Sequence, residues 1–184
     1  MNIPNIITIA RILMVPLTVW LIISEAYLLA FLAFIAAGIS DGVDGFIARR
    51  YHLKSELGAM LDPLADKLLL VSIYVTLGFQ LVFPAWLVIL VVSRDVLIVG
   101  GVILNMLLGK PMEMRPLMVS KVNTAGQILL AGVFLAARGF DQELDGAYVA
   151  GMLAVALLTV ASGALYMRDW VRHMANGNSE SPGP

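Results

Sequence analysis

The chain has 184 residues, of which 60% are hydrophobic and only 14% are charged, and its formal net charge is −1. Its mean hydropathy of +0.89 is too high for a soluble domain of this size, which could not bury so much apolar surface. The absence of cysteine excludes disulfides, thiolate nucleophiles and cysteine-ligated metals. These features predict an integral membrane protein.

Six apolar segments, each about long enough to cross a bilayer as a helix, follow one another along the chain. They cover residues 6–23, 27–47, 60–83, 85–108, 119–137 and 148–167. The N-terminus has neither a basic start nor a small-residue cleavage site, so we expect the first helix to be retained. The predicted fold is an all-α integral membrane protein, a bundle of about six transmembrane helices. It forms one domain over residues 1–172, and a flexible tail over residues 173–184 follows.

Basic residues collect in alternate connections between these segments. They are Arg49, Arg50 and Lys54 in the second connection, Lys110 and Arg115 in the fourth, and Arg168 and Arg172 after the last segment. The other connections carry only Glu25, no charge, or an acidic excess around Arg138. The positive-inside rule then predicts that both termini are cytoplasmic.

Four aspartates flank the second connection: Asp41, Asp44, Asp62 and Asp66. The first two are three residues apart and the last two are four apart, so each pair lies on one face of a helix. Inserting one charged side chain at membrane depth costs about 2.5–3.5 kcal/mol of free energy. Packing alone gives no reason for four such residues here. Helix capping at a wet interface fits Asp62, which precedes a proline, but it does not explain the spacing of all four.

Carboxylates that face one another repel unless cations neutralise them. An all-oxygen ligand set suits Mg²⁺ or Mn²⁺ and also accepts phosphate oxygens. Two such ions, about 3.5–4 Å apart, are a recurring arrangement for in-line displacement at phosphorus. The sequence therefore predicts a site for two divalent cations, Mg²⁺ or Mn²⁺, that acts on a phosphate compound.

Small and basic residues surround the aspartates. Gly45 and Gly58 would let a phosphate or ribose approach the helix backbone, and Ala48 keeps the same face shallow. Arg49 offers a fork of donors to a phosphate, and Ser55 offers a hydroxyl to a nucleotide. Positive-inside bias alone is the alternative explanation for Arg49.

The full pattern Asp-x2-Asp-Gly-x2-Ala-Arg-x8-Gly-x3-Asp-x3-Asp, from Asp41 to Asp66, resembles the signature of the CDP-alcohol phosphotransferase (phosphatidyltransferase) family. The resemblance extends over residues 1 to about 172, and it implies a CDP-diacylglycerol donor, CMP as leaving group and a homodimer. It also implies that all four aspartates ligate metal and that Asp66 acts as general base on the acceptor hydroxyl. The implied donor-binding residues are Asn5, Thr8, Gly45, Ala48, Arg49, Ser55 and Gly58.

Finer similarity bears on the acceptor alcohol. The segments at 44–49, 61–67, 93–96 and 120–125 resemble CMP-forming cardiolipin synthases of the mitochondrial type, whose acceptor is phosphatidylglycerol. The Asn-x2-Thr start and the chain length resemble phosphatidylglycerophosphate synthases, whose acceptor is glycerol 3-phosphate. Our hypothesis is the first acceptor, and the second is the alternative.

Three charged residues lie inside the fourth and fifth apolar segments: Arg94, Asp95 and Lys121. Because an intramembrane cation needs an anionic partner, they are candidates for binding the acceptor phosphate. An internal ion network of Arg94, Asp95 and Lys121 that locks the two helices together explains them equally well.

The expected location is the bacterial cytoplasmic membrane, with the active site facing the cytoplasm; the mitochondrial inner membrane is the second choice. Nothing indicates a nucleic-acid partner. A divalent-cation transporter is a non-enzymatic alternative, but it would need acidic residues distributed across the bilayer rather than at one side. A catalytically silent scaffold would leave the complete motif unexplained.

Overall fold

The computed structural model describes the backbone of residues 3–51, 56–107, 118–144 and 146–176. Side chains are described for residues 12–40, 67–101, 118–144 and 146–171. All regular structure in these parts of the chain is helical, as the all-α prediction requires.

Six helices occupy the described ranges. They are α1 Ile3–Ile23, α2 Tyr27–Tyr51, α3 Glu56–Phe79, α4 Ala85–Leu107, α5 Met118–Gly139 and α6 Gly146–Asn176. The apolar runs thus place every helix correctly, but α3 ends before the predicted residue 83. The sixth helix is also longer than predicted, because it continues to Asn176 into the segment expected to be a tail. Residues 177–184 of that tail lie outside the described residues.

The helices α1, α3 and α5 end in the same hydrogen-bonded turn. Each is followed by a non-glycine residue with positive φ, namely Glu25 (57°), Leu81 (59°) and Asp141 (53°). The next amide donates to a carbonyl five residues back in the pairs Ala26–Leu21 (2.9 Å), Val82–Leu77 (3.0 Å) and Gln142–Ala137 (2.7 Å). This Schellman arrangement satisfies the last helical carbonyls and reverses the chain into the next helix.

These three turns meet at one end of the bundle. The Gln80 side-chain amide donates to the Ile22 carbonyl at 2.9 Å, and its oxygen accepts from the Tyr27 hydroxyl at 3.4 Å. The ring of Phe83 meets the ring of Phe134 edge to face, with centroids 5.7 Å apart. Side chains from different hairpins therefore hold this end together.

The bundle packs around an apolar core. Helix α1 contacts α2 and α3; α5 contacts α2, α3 and α6; and α4 contacts α3 and α6. Core side chains without any exposure include Ile22, Ile73, Leu77, Leu87 and Leu135. With Ala30, Phe34 and Ala37 of α2 and Val155 of α6, the core draws on all six described helices.

Every helix also exposes large apolar side chains. Examples, one from each helix in order, are Trp20, Leu29, Phe79, Ile89, Leu129 and Leu157. Of the described segments, Met118–Gly139 and Gly146–Val171 are long and apolar enough to cross a membrane, and shorter apolar helical segments lie at Ile12–Ile23, Tyr27–Ser40 and Lys67–Phe79. Exposed apolar surface this extensive is rare in soluble monomers and marks contact with lipid or another protein.

Candidate functional site

The four predicted metal ligands lie on two consecutive helices, Asp41 and Asp44 on α2 and Asp62 and Asp66 on α3. Helix α2 runs away from the end where the turns meet, and α3 runs back toward it. The link over residues 52–55 keeps the two helix ends within about 18 Å of each other. Both aspartate pairs therefore belong to the half of the bundle opposite the turns.

The side chains of these aspartates lie outside the described residues, so their convergence stays a prediction. Among the side chains that are described, no three His, Cys, Asp or Glu residues form a group that could hold a metal ion. What the backbone does establish is that α2 and α3 are unbroken helices at the aspartates, as the spacing argument requires.

Six of the predicted donor-binding residues lie on three helices, α1, α2 and α3. Helix α1 carries Asn5 and Thr8; α2 carries Gly45, Ala48 and Arg49; α3 carries Gly58; and Ser55 is outside the described residues. Their side chains are not among those described. Because α1 ends at the turns, its first turns lie at the opposite end of the bundle, in the half that carries the aspartates.

Lys67 is the first residue after the aspartates whose side chain is described. It forms an ion cluster with Arg94 and Asp95 of α4. Its Nζ lies 2.8 Å from Oδ1 and 2.9 Å from Oδ2 of Asp95. Nη1 of Arg94 lies 2.6 Å from the same Oδ1. The Asp95 and Arg94 side chains are 6% and 4% exposed, whereas that of Lys67 is 29% exposed. One buried carboxylate thus serves two cations, and the cluster carries a net positive charge.

The guanidinium of Arg94 also ties α4 to two further helices. Its Nε and Nη2 donate to the Ser162 hydroxyl on α6, at 3.2 and 2.7 Å. Nη2 donates in addition to the Ser120 hydroxyl on α5. All three guanidinium nitrogens are therefore engaged within the protein, as a buried guanidinium requires.

The internal network inferred from sequence is right for Arg94 and Asp95 but wrong for its second cation. That cation is Lys67 on α3, whereas Lys121 is exposed on α5 and takes part in none of the ion pairs between described side chains. Ser120 contacts Arg94, and the next helical residue points about 100° away from it.

A second polar group lies buried between α3, α5 and α6. The Thr159 hydroxyl lies 2.9 Å from Asn123 Oδ1, and Gln127 Nε2 lies 3.4 Å from that hydroxyl. The Tyr74 hydroxyl donates to the Gln127 backbone carbonyl at 3.1 Å. Asn123 Nδ2 and Gln127 Oε1 have no hydrogen-bond partner among the described residues.

Sequence reasoning missed Lys67, Ser120 and Ser162 as members of this region. For Lys67 a signal was present, since a lysine inside an apolar helix needs an anion and Asp95 stands in the next helix. The two serines gave no such signal, because small hydroxyl residues are common in tightly packed helices.

The sequence profile of CDP-alcohol phosphatidyltransferases matches residues 1–165 of the chain. Cardiolipin synthase (CMP-forming) of Homo sapiens is 34% identical over 179 residues, which cover 89% of this chain and 59% of the human protein. The chloroplastic CDP-diacylglycerol–glycerol-3-phosphate 3-phosphatidyltransferase 1 of Oryza sativa subsp. japonica is 34% identical over 180 residues, covering 88% of this chain and 55% of the rice protein.

A bacterial relative is matched over most of its length. The CDP-diacylglycerol–glycerol-3-phosphate 3-phosphatidyltransferase of Bacillus subtilis (strain 168) is 33% identical over 150 residues, covering 73% of this chain and 76% of that protein. The chain thus spans less than two thirds of the length of the human and rice relatives, and about three quarters of the bacterial one.

Proposed function

The chain belongs to the CDP-alcohol phosphatidyltransferase family, and from this membership we propose that it is a membrane enzyme of phospholipid biosynthesis. It transfers a phosphatidyl group from CDP-diacylglycerol to an alcohol and releases CMP. The observation that carries the proposal is the family match over residues 1–165, which includes the complete aspartate motif. The same membership favours the enzyme over a divalent-cation transporter.

All six helices span the membrane in this proposal. They are 21 to 31 residues long, and about 20 residues suffice to cross the hydrocarbon core. The apolar side chains exposed on each helix would face lipid. The alternating basic connections support an orientation with both termini and the aspartates on the cytoplasmic side of a bacterial cytoplasmic membrane.

The ligand set fits two divalent cations. Four carboxylates, without nitrogen or sulfur ligands, suit Mg²⁺ or Mn²⁺. Asp41, Asp44, Asp62 and Asp66 would hold them, two residues from each of two unbroken helices. When bound, the cations draw negative charge from the phosphoryl oxygens and stabilise the attacking and leaving oxygens.

The protein's own groups position the substrates and move one proton. The acceptor hydroxyl oxygen attacks the phosphorus that carries the diacylglycerol, and the carboxylate of Asp66 takes the hydroxyl proton. A new phosphorus–oxygen bond forms while the bond to the phosphate of CMP breaks, so CMP leaves with the electron pair. Gly45 and Arg49 on α2, with Asn5 and Thr8 on α1, would hold the CDP moiety in line for this attack.

Phosphatidylglycerol is the acceptor that we propose first, which makes the product cardiolipin. The human relative that supports it is a cardiolipin synthase. Glycerol 3-phosphate is the second candidate, because the rice and Bacillus subtilis relatives, at similar identity, are glycerol-3-phosphate 3-phosphatidyltransferases. A homodimer is part of the proposal and rests on the family resemblance alone.

The proposal is tested with purified protein, CDP-diacylglycerol and either acceptor, by measuring CMP and the lipid product. We expect CMP release that requires Mg²⁺ or Mn²⁺, stops with a chelator and is fastest with phosphatidylglycerol. Asp66→Asn should abolish turnover, while Asp169→Asn, which alters an exposed ion pair, should not. No CMP release with either acceptor, or metal uptake into proteoliposomes instead, would overturn the proposal.

A further inference from the structure

The ion cluster of Lys67, Arg94 and Asp95 holds more positive than negative charge. Two cations share one carboxylate, and both the carboxylate and the guanidinium are almost fully buried. Charges at membrane depth normally pair, because an uncompensated charge is costly there. Among the described side chains no further anion pairs with the cluster, which leaves one positive charge that an additional anion would neutralise.

Arg94 is not free to bind that anion. Its Nη1 is committed to Asp95, its Nε to Ser162 and its Nη2 to Ser162 and Ser120. Its side chain is only 4% exposed. A bidentate contact from Arg94 to a phosphate would break hydrogen bonds that join α4 to α5 and α6.

Lys67 is the accessible cation of the cluster. Its side chain is 29% exposed, and its two hydrogen bonds to described residues both go to the carboxylate of Asp95. An ammonium has three N–H groups, so one remains that donates to no described residue. Asp95, itself fixed by Arg94, holds the Lys67 Nζ in place.

We propose that Lys67 binds the phosphate group of the acceptor alcohol and that Asp95 is the residue that positions it. The inference rests on the function proposed above and assigns the acceptor phosphate to Lys67 rather than to Arg94 or Lys121. Lys67 directly follows Asp66 on α3, so their Cα atoms lie about 3.8 Å apart while their side chains leave the helix about 100° apart. In the proposed function the aspartates would hold the divalent cations that meet the donor diphosphate, which leaves the ammonium of Lys67 for the acceptor, whose hydroxyl must reach Asp66.

Lys67→Met tests the proposal, because it removes the ammonium and leaves the buried Arg94–Asp95 pair intact. With CDP-diacylglycerol saturating, we expect KM for phosphatidylglycerol, or for glycerol 3-phosphate if that is the acceptor used, to rise about tenfold or more. The KM for CDP-diacylglycerol should stay within about twofold, and Lys67→Arg should restore part of the loss. The control is Arg168→Met, which removes an exposed cation.

A double-mutant cycle of Asp95→Asn and Lys67→Met, with the acceptor KM as the measured quantity, tests the positioning role of Asp95. Asp95→Asn should raise the acceptor KM when Lys67 is present and add little to it in the Lys67→Met background. Additive losses in the two variants would refute the positioning role.

Three outcomes would overturn the assignment to the acceptor. If Lys67→Met raised only the KM for CDP-diacylglycerol, Lys67 would bind the donor diphosphate instead. Unchanged kinetics in Lys67→Met would mean that Lys67 has only a structural role. A higher acceptor KM in Lys121→Met, without one in Lys67→Met, would mean that Lys121 on α5 binds the acceptor phosphate. Wild-type protein that releases no CMP would instead count against the proposed function itself.

Discussion

The Thr159 hydroxyl is the central atom of the buried polar group between α5 and α6. It lies within hydrogen-bond distance of Asn123 Oδ1, of Gln127 Nε2 and of the backbone carbonyl of Val155, four residues earlier in α6. Asn123, Gln127 and Thr159 are almost completely inaccessible. Since the amides of Asn123 and Gln127 already contain unpartnered atoms, losing this hydroxyl would leave further polar atoms unsatisfied.

We therefore expect Thr159→Val to destabilise the protein by about 1–3 kcal/mol although it preserves side-chain volume. Chemical denaturation in detergent measures the effect. Thr18→Val is the matched control: Thr18 is equally buried, but its hydroxyl only donates to the Met14 carbonyl of its own helix, at 2.8 Å. Equal losses in the two variants would show that the polar group contributes nothing beyond one hydroxyl.

At the residue scale the sequence names candidate residues for the chemistry, but it does not show which side chains meet. The spacing of the aspartates and the resemblance defined the candidate site, whose side chains stay a prediction. The pairing of Lys67 with Asp95 joins residues 28 positions apart, and no local pattern specifies such a contact. The sequence suggests Lys121 for the network because it is a charged residue inside an apolar segment, but the rotation of α5 leaves its side chain exposed.

At the scale of elements, the predicted ends of α3 and α6 differ most from the structure, whereas α1 ends at residue 23 as predicted. Glycine or asparagine usually marks a left-handed cap, but Glu25, Leu81 and Asp141 occupy these positions here. For an L-residue the left-handed conformation costs about 1–2 kcal/mol. This is why the predicted end of α3 was wrong while the apolar part of the helix was right.

Leu81→Gly should stabilise the protein, by up to about 1 kcal/mol, because glycine adopts positive φ without strain. Leu81 is 90% exposed in the described structure, so little packing is lost. The shift in thermal unfolding midpoint measures the effect. Leu81→Ala is the control, since it removes the same side chain but keeps the Cβ; a gain as large as that of glycine would contradict the backbone explanation.

Gly139, at the end of α5, lies against the backbone of α2. It is the last residue of α5, and a Cβ there would come within 2.7 Å of the Leu28 Cα and 2.8 Å of its backbone nitrogen on α2. The glycine therefore permits close contact between two helices.

Gly139→Ala should cost about 1–3 kcal/mol, because backbone atoms cannot move aside as a side chain can. The comparison variant is Gly100→Ala in α4, where a Cβ meets nothing within 4 Å. That variant should gain about 0.5–1 kcal/mol from the better helix propensity of alanine. Denaturation of both variants in the same detergent decides; a neutral Gly139→Ala would disprove the close contact.

For the whole molecule, the proposed orientation is testable because the chain contains no cysteine. A single cysteine at Gln142, in the turn between α5 and α6, should react with a membrane-impermeant maleimide added to intact spheroplasts. A single cysteine at Arg168, near the end of α6, should react only after permeabilisation. Both positions are exposed, so the reverse pattern would invert the topology.

The three Schellman turns have a consequence for biogenesis. Only residues 24–26, 80–84 and 140–145 separate the helices within each hairpin. A hairpin that enters the bilayer as a closed pair has to carry only a short connecting segment through the hydrocarbon, and most of its backbone amides are already hydrogen-bonded within the helices. We therefore expect the insertion machinery to handle this protein as three helical hairpins rather than as six successive spans.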